Sequence, residues 1–216
     1  MKEYDTYLLD FDGTLFDTKE SLKPVFHKGF GAIGIEVTDR ECEVFMHHTL
    51  LQAAEMKHVR EDQFKPLVDA ITIAMDSEEV LSLIKPFSDT VYSISELRKR
   101  NKKVAIVSGN LSNHIRLVLS LYHLDAQVDA VVGSDMFKHG KPHPEPLLLA
   151  MEMLGVSEKC STVYVGDSLQ DEQAAEAAGI DSVLIARDDD SREAKKTTIA
   201  EFAELFRYVA RQVKVQ

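Results

Sequence analysis

The second part of the chain alternates helical and strand patterns, and this alternation limits the possible folds more than any other feature. From Pro86 onward, four short segments rich in Val and Ile each follow a segment with apolar residues three and four apart. The predicted helix and strand pairs are Ser88 to Lys99 with Lys103 to Val107, Leu111 to Leu121 with Asp129 to Val132, Pro146 to Leu154 with Thr162 to Val165, and Leu169 to Ala178 with Ser182 to Ile185. Such alternation predicts a parallel sheet with helices on both faces.

A further strand is predicted at the start of the chain, where Tyr7, Leu8 and Leu9 form a short apolar run. If this strand joins the sheet, the fold class is α/β, with a Rossmann-like doubly wound parallel core in three α/β/α layers. The stretch that follows is helical and carries no strand pattern: Ser21 to Ala32, Asp39 to Met46, Leu50 to His58 and Glu61 to Met75. We therefore expect a discontinuous core domain, residues 1–16 and 86–216, and an inserted α-helical cap domain, residues 17–85.

The charge and the apolar pattern limit the classes of partner. Acidic residues outnumber Lys and Arg by 36 to 25, for a net charge of −11, which disfavours nucleic acid and anionic membranes. No apolar stretch approaches the roughly 20 residues that a membrane span needs, and the first residues do not resemble a signal peptide. Cys42 and Cys160 lack C-x-x-C spacing and are predicted to be free thiols. A cytoplasmic protein is expected.

Two acids end the first strand, in the sequence D-F-D-G-T. Asp10 and Asp12 are separated by one residue and followed by Gly13 and Thr14. Two neighbouring carboxylates are costly to bury unless a cation compensates them, and Mg²⁺ is a natural counter-ion. Taken alone, the motif is explained equally well as an acidic turn before a helix, with Gly13 supplying an unusual backbone angle. The residues that follow the other predicted strands are needed to choose between these interpretations.

Two more strand ends carry groups that suit an anion. Ser108, Gly109 and Asn110 follow the second predicted strand, where a hydroxyl, free amides and a helix N-terminus could hold a phosphoryl oxygen. Ser and Asn are also common helix caps, so this signal is weak by itself. After the third strand, Lys141 lies between Gly140 and Pro142 in a loop that proline restrains. The simpler alternative is a surface lysine in a Pro-rich turn.

The fourth strand end reads G-D-S-L-Q-D. Asp167 leaves the strand as Asp10 does, and Asp171 follows four residues later in the first turn of a helix, so both can face one point. They would complete an oxygen-rich set of the kind that Mg²⁺ prefers, although alone they could be a capping pair. His139 and His143 flank Lys141, but without another converging ligand a zinc site is not expected there.

Taken in order, the motifs D-F-D-G-T, S-G-N, G-K-P and G-D-S-L-Q-D each follow a predicted strand. In this arrangement the chain resembles the haloacid dehalogenase-like hydrolase superfamily over essentially its whole length. It is most similar to the phosphoglycolate phosphatase and β-phosphoglucomutase branch, in which a helical cap follows the first motif. Many relatives have Asn-Lys after the Ser or Thr of the second motif, whereas this chain has Ser108-Gly109-Asn110. This departure concerns the residues that are expected to contact the phosphoryl group.

The resemblance implies a role for each matching residue. Asp10 would attack phosphorus, Asp12 would protonate the leaving oxygen and then activate water, and Lys141 would neutralise Asp10 and the phosphoryl oxygens. Ser108, Gly109 and Asn110 would bind the phosphoryl group. The implied Mg²⁺ ligands are Asp10, the backbone carbonyl of Asp12, Asp167 and Asp171, the last as a ligand or as support for one.

The function that the resemblance implies is a magnesium-dependent phosphatase acting on a small phosphorylated metabolite through an aspartyl-phosphate intermediate. Asp12 argues against a dehalogenase, which has no leaving oxygen to protonate, and against the phosphonatase branch, which lacks this acid. The alternatives are a phosphomutase of the β-phosphoglucomutase type, a pyrophosphatase, or a binding module without turnover. The expected assembly is a monomer or a weak homodimer.

The cap should select the substrate, because the core domain is expected to contact only the phosphoryl group and the metal. Between two predicted cap helices lies F-M-H-H-T-L, and we hypothesise that His47 or His48 contacts the leaving group. The alternative is a solvated helix junction, and the sequence does not separate the two. Two predictions concern the end of the chain: the charged segment Arg187 to Lys196 is expected to be solvated surface, and Ile199 to Gln212 a closing helix.

Overall fold

The computed structural model describes residues 3–46, 48–187, 198–202 and 204–205. The strands are β1 (Thr6–Leu9), β2 (Phe16–Asp17), β3 (Lys85–Pro86), β4 (Lys103–Val107), β5 (Ala130–Val132), β6 (Thr162–Gly166), β7 (Asp181–Ile185) and β8 (Thr198–Ile199). The α-helices are α1 (Lys19–Ala32), α2 (Asp39–Phe45), α3 (Leu50–Met56), α4 (Glu61–Met75), α5 (Glu78–Leu83), α6 (Thr90–Lys99), α7 (Ser112–Leu121), α8 (Glu145–Met153) and α9 (Leu169–Ala178).

Within the described residues, the main sheet has six parallel strands in the order β5-β4-β1-β6-β7-β8. Its central strands are buried along nearly their whole length, which explains their continuous apolar runs of Val, Ile, Leu and Tyr. Helices follow the strands along the chain as the sequence pattern requires. The predicted α/β fold with a parallel sheet is confirmed.

The strand order places β1 between β4 and β6, so the chain reverses its direction of winding at this strand. Leu9 at the end of β1 is paired with Ile106 of β4 and with Val165 of β6. The residues that follow these three strands must therefore emerge side by side at the carboxyl edge of the sheet. In doubly wound sheets this is the position of the ligand-binding crevice.

The chain divides into two compact units, one formed by the residues up to Phe16 together with those from Pro86 onward, and the other by Asp17–Lys85. The second unit is helical and has an apolar core of its own that includes Phe30, Phe45 and Leu67. Thr38 and Thr49 begin α2 and α3 with capping boxes, in which the Thr hydroxyl and a side chain three residues later satisfy free amides. Of the described helices, none is long and apolar enough to cross a bilayer.

Two sequence predictions about the end of the chain need correction. Ile199 begins no helix; it lies in β8, where it pairs with Ile185 and extends the sheet. Glu204 and Leu205 are helical, whereas residues 203 and 206–212 of the predicted helix lie outside the described residues. Arg187 is not solvated, because its side chain is only 11% exposed. It donates to the backbone carbonyl of Thr14 and stacks over the Phe87 ring. Residues 188–196 of the same segment lie outside the described residues.

Candidate active site

Asp10 and Lys141 form the centre of the site. Asp10 is the first residue after β1, its amide donates to Val165, and its side chain is almost completely buried. Lys141 comes from the loop between β5 and α8, and its Nζ donates to Asp10 Oδ1 at 2.8 Å. The two residues are 131 positions apart in the sequence, so the contact depends on the strand order of the sheet. The ammonium lies beside the carboxylate that the resemblance names as nucleophile.

Asp12 has different surroundings from Asp10. It is partly exposed, and its Oδ2 accepts hydrogen bonds from Asn110 Nδ2 at 2.8 Å and from Ser108 Oγ at 3.2 Å. The Ser108 hydroxyl also accepts a bond from the Asn110 amide, which orders the turn after β4. A side chain at Gly109 would meet nothing within 4 Å, so this position borders open space. The first and second sequence motifs therefore form one polar cluster.

Asp167 follows β6 and packs against the loop after Asp12. The Thr14 hydroxyl, fully buried, lies 3.4 Å from Asp167 Oδ1. Gly13 has a φ of 69°, and an added Cβ there would collide with the Asp167 carboxylate. Only glycine satisfies both the backbone angle and this close approach. The role of Gly13 thus depends on an acid that lies more than 150 residues later in the chain.

Asp171 is buried and uses both of its oxygens within the protein. Oδ1 accepts from Lys141 at 2.6 Å, and Oδ2 accepts from the Ser168 hydroxyl at 2.6 Å and from the amides of Ser168 and Asp167. Its carboxylate therefore holds Lys141 in place and orders the turn that presents Asp167. These contacts favour the supporting role over direct metal ligation.

Sequence reasoning missed Tyr164, which lies in the middle of β6. Its ring is completely buried in the core of the sheet, and its hydroxyl lies 3.0 Å from Lys141 Nζ and 3.2 Å from Asp171 Oδ1. Burial raises the pKa of Tyr164, so the phenol keeps its proton. The available signal was a tyrosine between Val163 and Val165, two residues before the strand ends.

The acids have pKa values that reflect their burial and their mutual repulsion. Burial raises the pKa of Asp10 well above its ordinary value, although the Lys141 charge opposes this shift. Burial and the nearby Asp171 charge raise the pKa of Asp167 to about 6. Burial acts in the same direction on Asp171, but Lys141 and the Ser168 hydrogen bonds outweigh it, and the pKa of Asp171 is lowered. Burial would lower the pKa of Lys141, yet Asp10 and the neighbouring groups keep it well above the usual range.

The acidic cluster suits a divalent cation. One oxygen from each of Asp10, Asp167 and Asp171 lies within 4.8 Å of the others. Burial and the charges of the neighbouring acids raise the pKa values of Asp10 and Asp167 although Lys141 opposes both shifts, so a further cation would stabilise the two carboxylates. Carboxylate oxygens are the hard ligands that Mg²⁺ prefers. The donor set thus fits the ion that the sequence predicts.

Among the described residues, a second cluster of possible metal ligands lies in the loop that carries Lys141 and at the start of α8. Glu145 supplies the third converging side chain that His139 and His143 were expected to lack. Its carboxylate, however, already accepts the amides of Lys138 and His139 and lies 2.7 Å from the His139 ring. These contacts stabilise the loop that carries Lys141, and we assign the cluster a structural role.

The two histidines proposed for substrate selection belong to the helical unit. His48 follows α2, and its Nδ1 donates to the Val44 carbonyl at 2.9 Å, so the ring is oriented by its own helix end. His47 lies outside the described residues. The functional hypothesis for this pair stays a prediction.

The fold and the side chains at its carboxyl edge define a class of α/β protein. In this class a buried carboxylate, a lysine and further acids meet at the point where a parallel sheet reverses its direction of winding. A family model described as haloacid dehalogenase-like hydrolase matches residues 7–185. The chain belongs to this family, and the resemblance predicted from the four motifs is confirmed.

Curated relatives agree with this assignment, and solved structures share the fold. The chain is 28% identical to a phosphoglycolate phosphatase of Aquifex aeolicus, with 82% of each chain covered, and 25% identical to the pyrophosphatase PpaX of Oceanobacillus iheyensis, with 84% and 83% covered. A subfamily IA, variant 1 hydrolase of this superfamily from Geobacter sulfurreducens superposes with a TM-score of 0.73 at 19% identity, covering 95% and 96% of the two chains. A haloacid dehalogenase-like family protein of Streptococcus pneumoniae gives 0.77 at 16%, covering 97% and 100%.

Proposed function

We propose that this protein is a magnesium-dependent phosphatase that hydrolyses a small phosphorylated metabolite through an aspartyl-phosphate on Asp10. The observation that carries the proposal is the pairing of buried Asp10 with Lys141, next to a second acid, Asp12, in different surroundings. The similarity to relatives named as phosphatases supports the same reaction class.

In the first step, Asp10 attacks phosphorus and the bond from phosphorus to the leaving oxygen breaks. Lys141 holds Asp10 Oδ1, so we assign the attack to Oδ2. Asp12 gives its proton to the leaving oxygen, which departs as a neutral alcohol or acid. Because Ser108 and Asn110 both donate to Asp12 Oδ2, we place the transferred proton on Oδ1.

In the second step, Asp12 removes a proton from water, and the resulting oxygen attacks the phosphorus of the aspartyl-phosphate. The acyl-phosphate bond breaks, and Asp10 returns as a carboxylate. Two displacements of moderate barrier thereby replace one difficult hydrolysis. The Gly109 position, which borders open space, suits the approach of a phosphoryl group to the turn after β4.

Asp10 and Asp167 are the side chains that we propose to hold Mg²⁺, together with the backbone carbonyl of Asp12. Asp171 acts as support, because Lys141 and the Ser168 turn occupy its oxygens. When bound, the ion supplies positive charge that offsets the repulsion between Asp10 and the phosphoryl oxygens. The residues Asp17–Lys85 are proposed to form a cap that selects the substrate and limits the access of water to the bound substrate.

A second candidate activity is hydrolysis of pyrophosphate, since relatives named pyrophosphatase PpaX align over most of the chain. The leaving group would then be phosphate itself, and the same two steps apply. A phosphomutase would instead return the phosphoryl group to a second position of the substrate. A cytoplasmic location and a monomer or weak homodimer stay predictions.

The test is phosphate release from a panel that includes phosphoglycolate, pyrophosphate and sugar phosphates, with and without Mg²⁺. We expect turnover of at least one member, dependent on Mg²⁺ and lowered at least about a thousandfold in Asp10→Asn. Asp125→Asn, a change at an exposed acid, serves as the matched control and should keep full activity. Isomerised product without phosphate release would favour the mutase, and equal behaviour of Asp10→Asn and the wild type would refute the proposal.

A further inference from the structure

We propose that the hydroxyl of Tyr164 is a positioning group that fixes the direction of the Lys141 ammonium toward Asp10. The inference rests on the proposed function, in which Asp10 attacks phosphorus, but the contact itself can be tested without turnover. Tyr164 lies within β6 and not in any of the four loops that carry the expected catalytic groups.

The phenol oxygen is the point where three parts of the site meet. It lies 3.0 Å from Lys141 Nζ, 3.2 Å from Asp171 Oδ1 and 3.3 Å from the carbonyl of Val107, the last residue of β4. A phenol has one proton to donate and lone pairs that accept. Because the ammonium is only a donor, the oxygen must accept from Lys141 and give its own proton to Asp171 or Val107.

The ammonium of Lys141 has three N–H bonds and three acceptors around it. These are Asp10 Oδ1 at 2.8 Å, Asp171 Oδ1 at 2.6 Å and the Tyr164 hydroxyl at 3.0 Å. Three acceptors within hydrogen-bonding distance restrain the rotation of the ammonium and not only its position. Without the hydroxyl, one N–H would be unsatisfied at a nearly buried site, and Lys141 would recover the lost bond by moving toward water.

Packing alone does not explain why this residue is tyrosine. The ring belongs to the buried apolar cluster that includes Leu8, Ala105 and Val107, and phenylalanine would fill the same space. A completely buried hydroxyl lowers stability unless it is hydrogen-bonded, and here its partners are Lys141, Asp171 and the carbonyl of Val107. Two of these three partners belong to the site, so the site gives the hydroxyl a purpose that packing of the ring does not.

The kinetic test compares Tyr164→Phe with Tyr7→Phe, which removes a hydroxyl from another buried tyrosine of the same sheet, on β1. We expect Tyr164→Phe to lower kcat about tenfold and to leave KM within about twofold, since the loss concerns the orientation of Asp10 and Lys141. Tyr7→Phe should change neither. Unchanged kcat in Tyr164→Phe, or an equal fall in both variants, would overturn the proposal.

A direct test follows the Lys141 ammonium by NMR on protein labelled with ¹⁵N-lysine, with Lys141→Met identifying its signal. We expect slow exchange of the ammonium protons in the wild type and in Tyr7→Phe, and faster exchange with a shifted signal in Tyr164→Phe. A Lys141 signal that is identical in all three proteins would overturn the proposal, even if kcat falls. If the wild type releases no phosphate from any substrate, the proposed function fails, while this measurement still decides the contact.

Discussion

Asp10 and Asp12 have the same side chain and differ only in what surrounds them. Asp10 is buried and contacts a cation, whereas Asp12 is partly exposed and accepts hydrogen bonds from the neutral groups of Ser108 and Asn110. A carboxylate fixed beside an ammonium suits in-line attack, and one that lies near the solvent edge suits proton transfer. The surroundings of the two acids therefore indicate different roles, which the residue type alone does not distinguish.

Asp12→Asn should separate the two steps of the proposed reaction. With p-nitrophenyl phosphate the leaving group needs little protonation, so we expect the first step to persist while the attack of water slows by a factor on the order of 100. Stopped-flow absorbance should then show a burst of nitrophenol close to one equivalent per enzyme. With an alkyl phosphate, whose leaving group needs protonation, the same variant should show no burst of released alcohol. Unaltered steady-state turnover of both esters would contradict the role of Asp12.

Asp167 should make the binding of Mg²⁺ dependent on pH. Burial and the Asp171 charge raise its pKa to about 6 in the folded protein, above the ordinary value near 3.8. The metal-free folded state therefore binds more protons than the unfolded state between about pH 4 and 6, and Asp167 lowers stability as the pH rises through this range. Burial shifts the pKa of Asp10 in the same direction.

Since Mg²⁺ requires the carboxylate form, its stabilising effect should increase as the pH rises through about 6. We expect Mg²⁺ at about 100 times its Kd to raise Tm by on the order of 5 °C at pH 7.5, and by clearly less at pH 5. Calorimetry with and without Mg²⁺ at both pH values measures this difference. Asp167→Asn should remove the effect at pH 7.5, and an equal rise at both pH values would contradict the prediction.

At the scale of the strands and loops, the sequence predicted the sheet because buried parallel strands need continuous apolar runs. It also predicted which loops meet at the carboxyl edge, because each motif follows a strand. It did not predict Tyr164 or Arg187, because their roles depend on residues brought near by the strand order. Arg187 follows β7 and reaches the carbonyl of Thr14, 173 positions earlier. A local charge pattern, such as the acidic run after Arg187, carries no information about such a contact.

Arg187 should contribute to stability far more than an exposed arginine. Its Nη1 lies 2.9 Å from Asp89 Oδ1, a close charge pair without hydrogen-bond alignment, and both side chains are 11% exposed. We expect Arg187→Met to lower the free energy of unfolding by about 3 kcal/mol, because Asp89 would lose its buried counter-charge. Arg98→Met, which breaks a pair with Asp129 whose side chains are 41% and 33% exposed, should cost less than about 1 kcal/mol. Urea unfolding measures both, and similar losses would contradict the prediction.

At the scale of the whole molecule, the proposed function assigns separate tasks to the two compact units. The described residues proposed to act in catalysis, from Asp10 to Asp171, all belong to the unit with the parallel sheet. The Asp17–Lys85 unit has a core of its own, so its surface residues can change without disturbing the sheet. We infer that substrate choice and chemistry can be altered independently in this protein.

The double variant His47→Ala/His48→Ala tests this separation. The His48 ring donates through Nδ1 to Val44, which leaves Nε2 as the acceptor in the neutral tautomer, and a hydroxyl of a leaving group could donate to it. We expect kcat/KM for the best metabolite to fall on the order of tenfold, while that for p-nitrophenyl phosphate stays within about twofold. Lys65→Ala, at an exposed lysine of α4 that pairs with Asp69 in its own helix, is the control within the same unit. An unchanged ranking of substrates would assign the two histidines to a solvated helix junction, and a parallel fall for every ester would show that the helical unit also affects the chemical step.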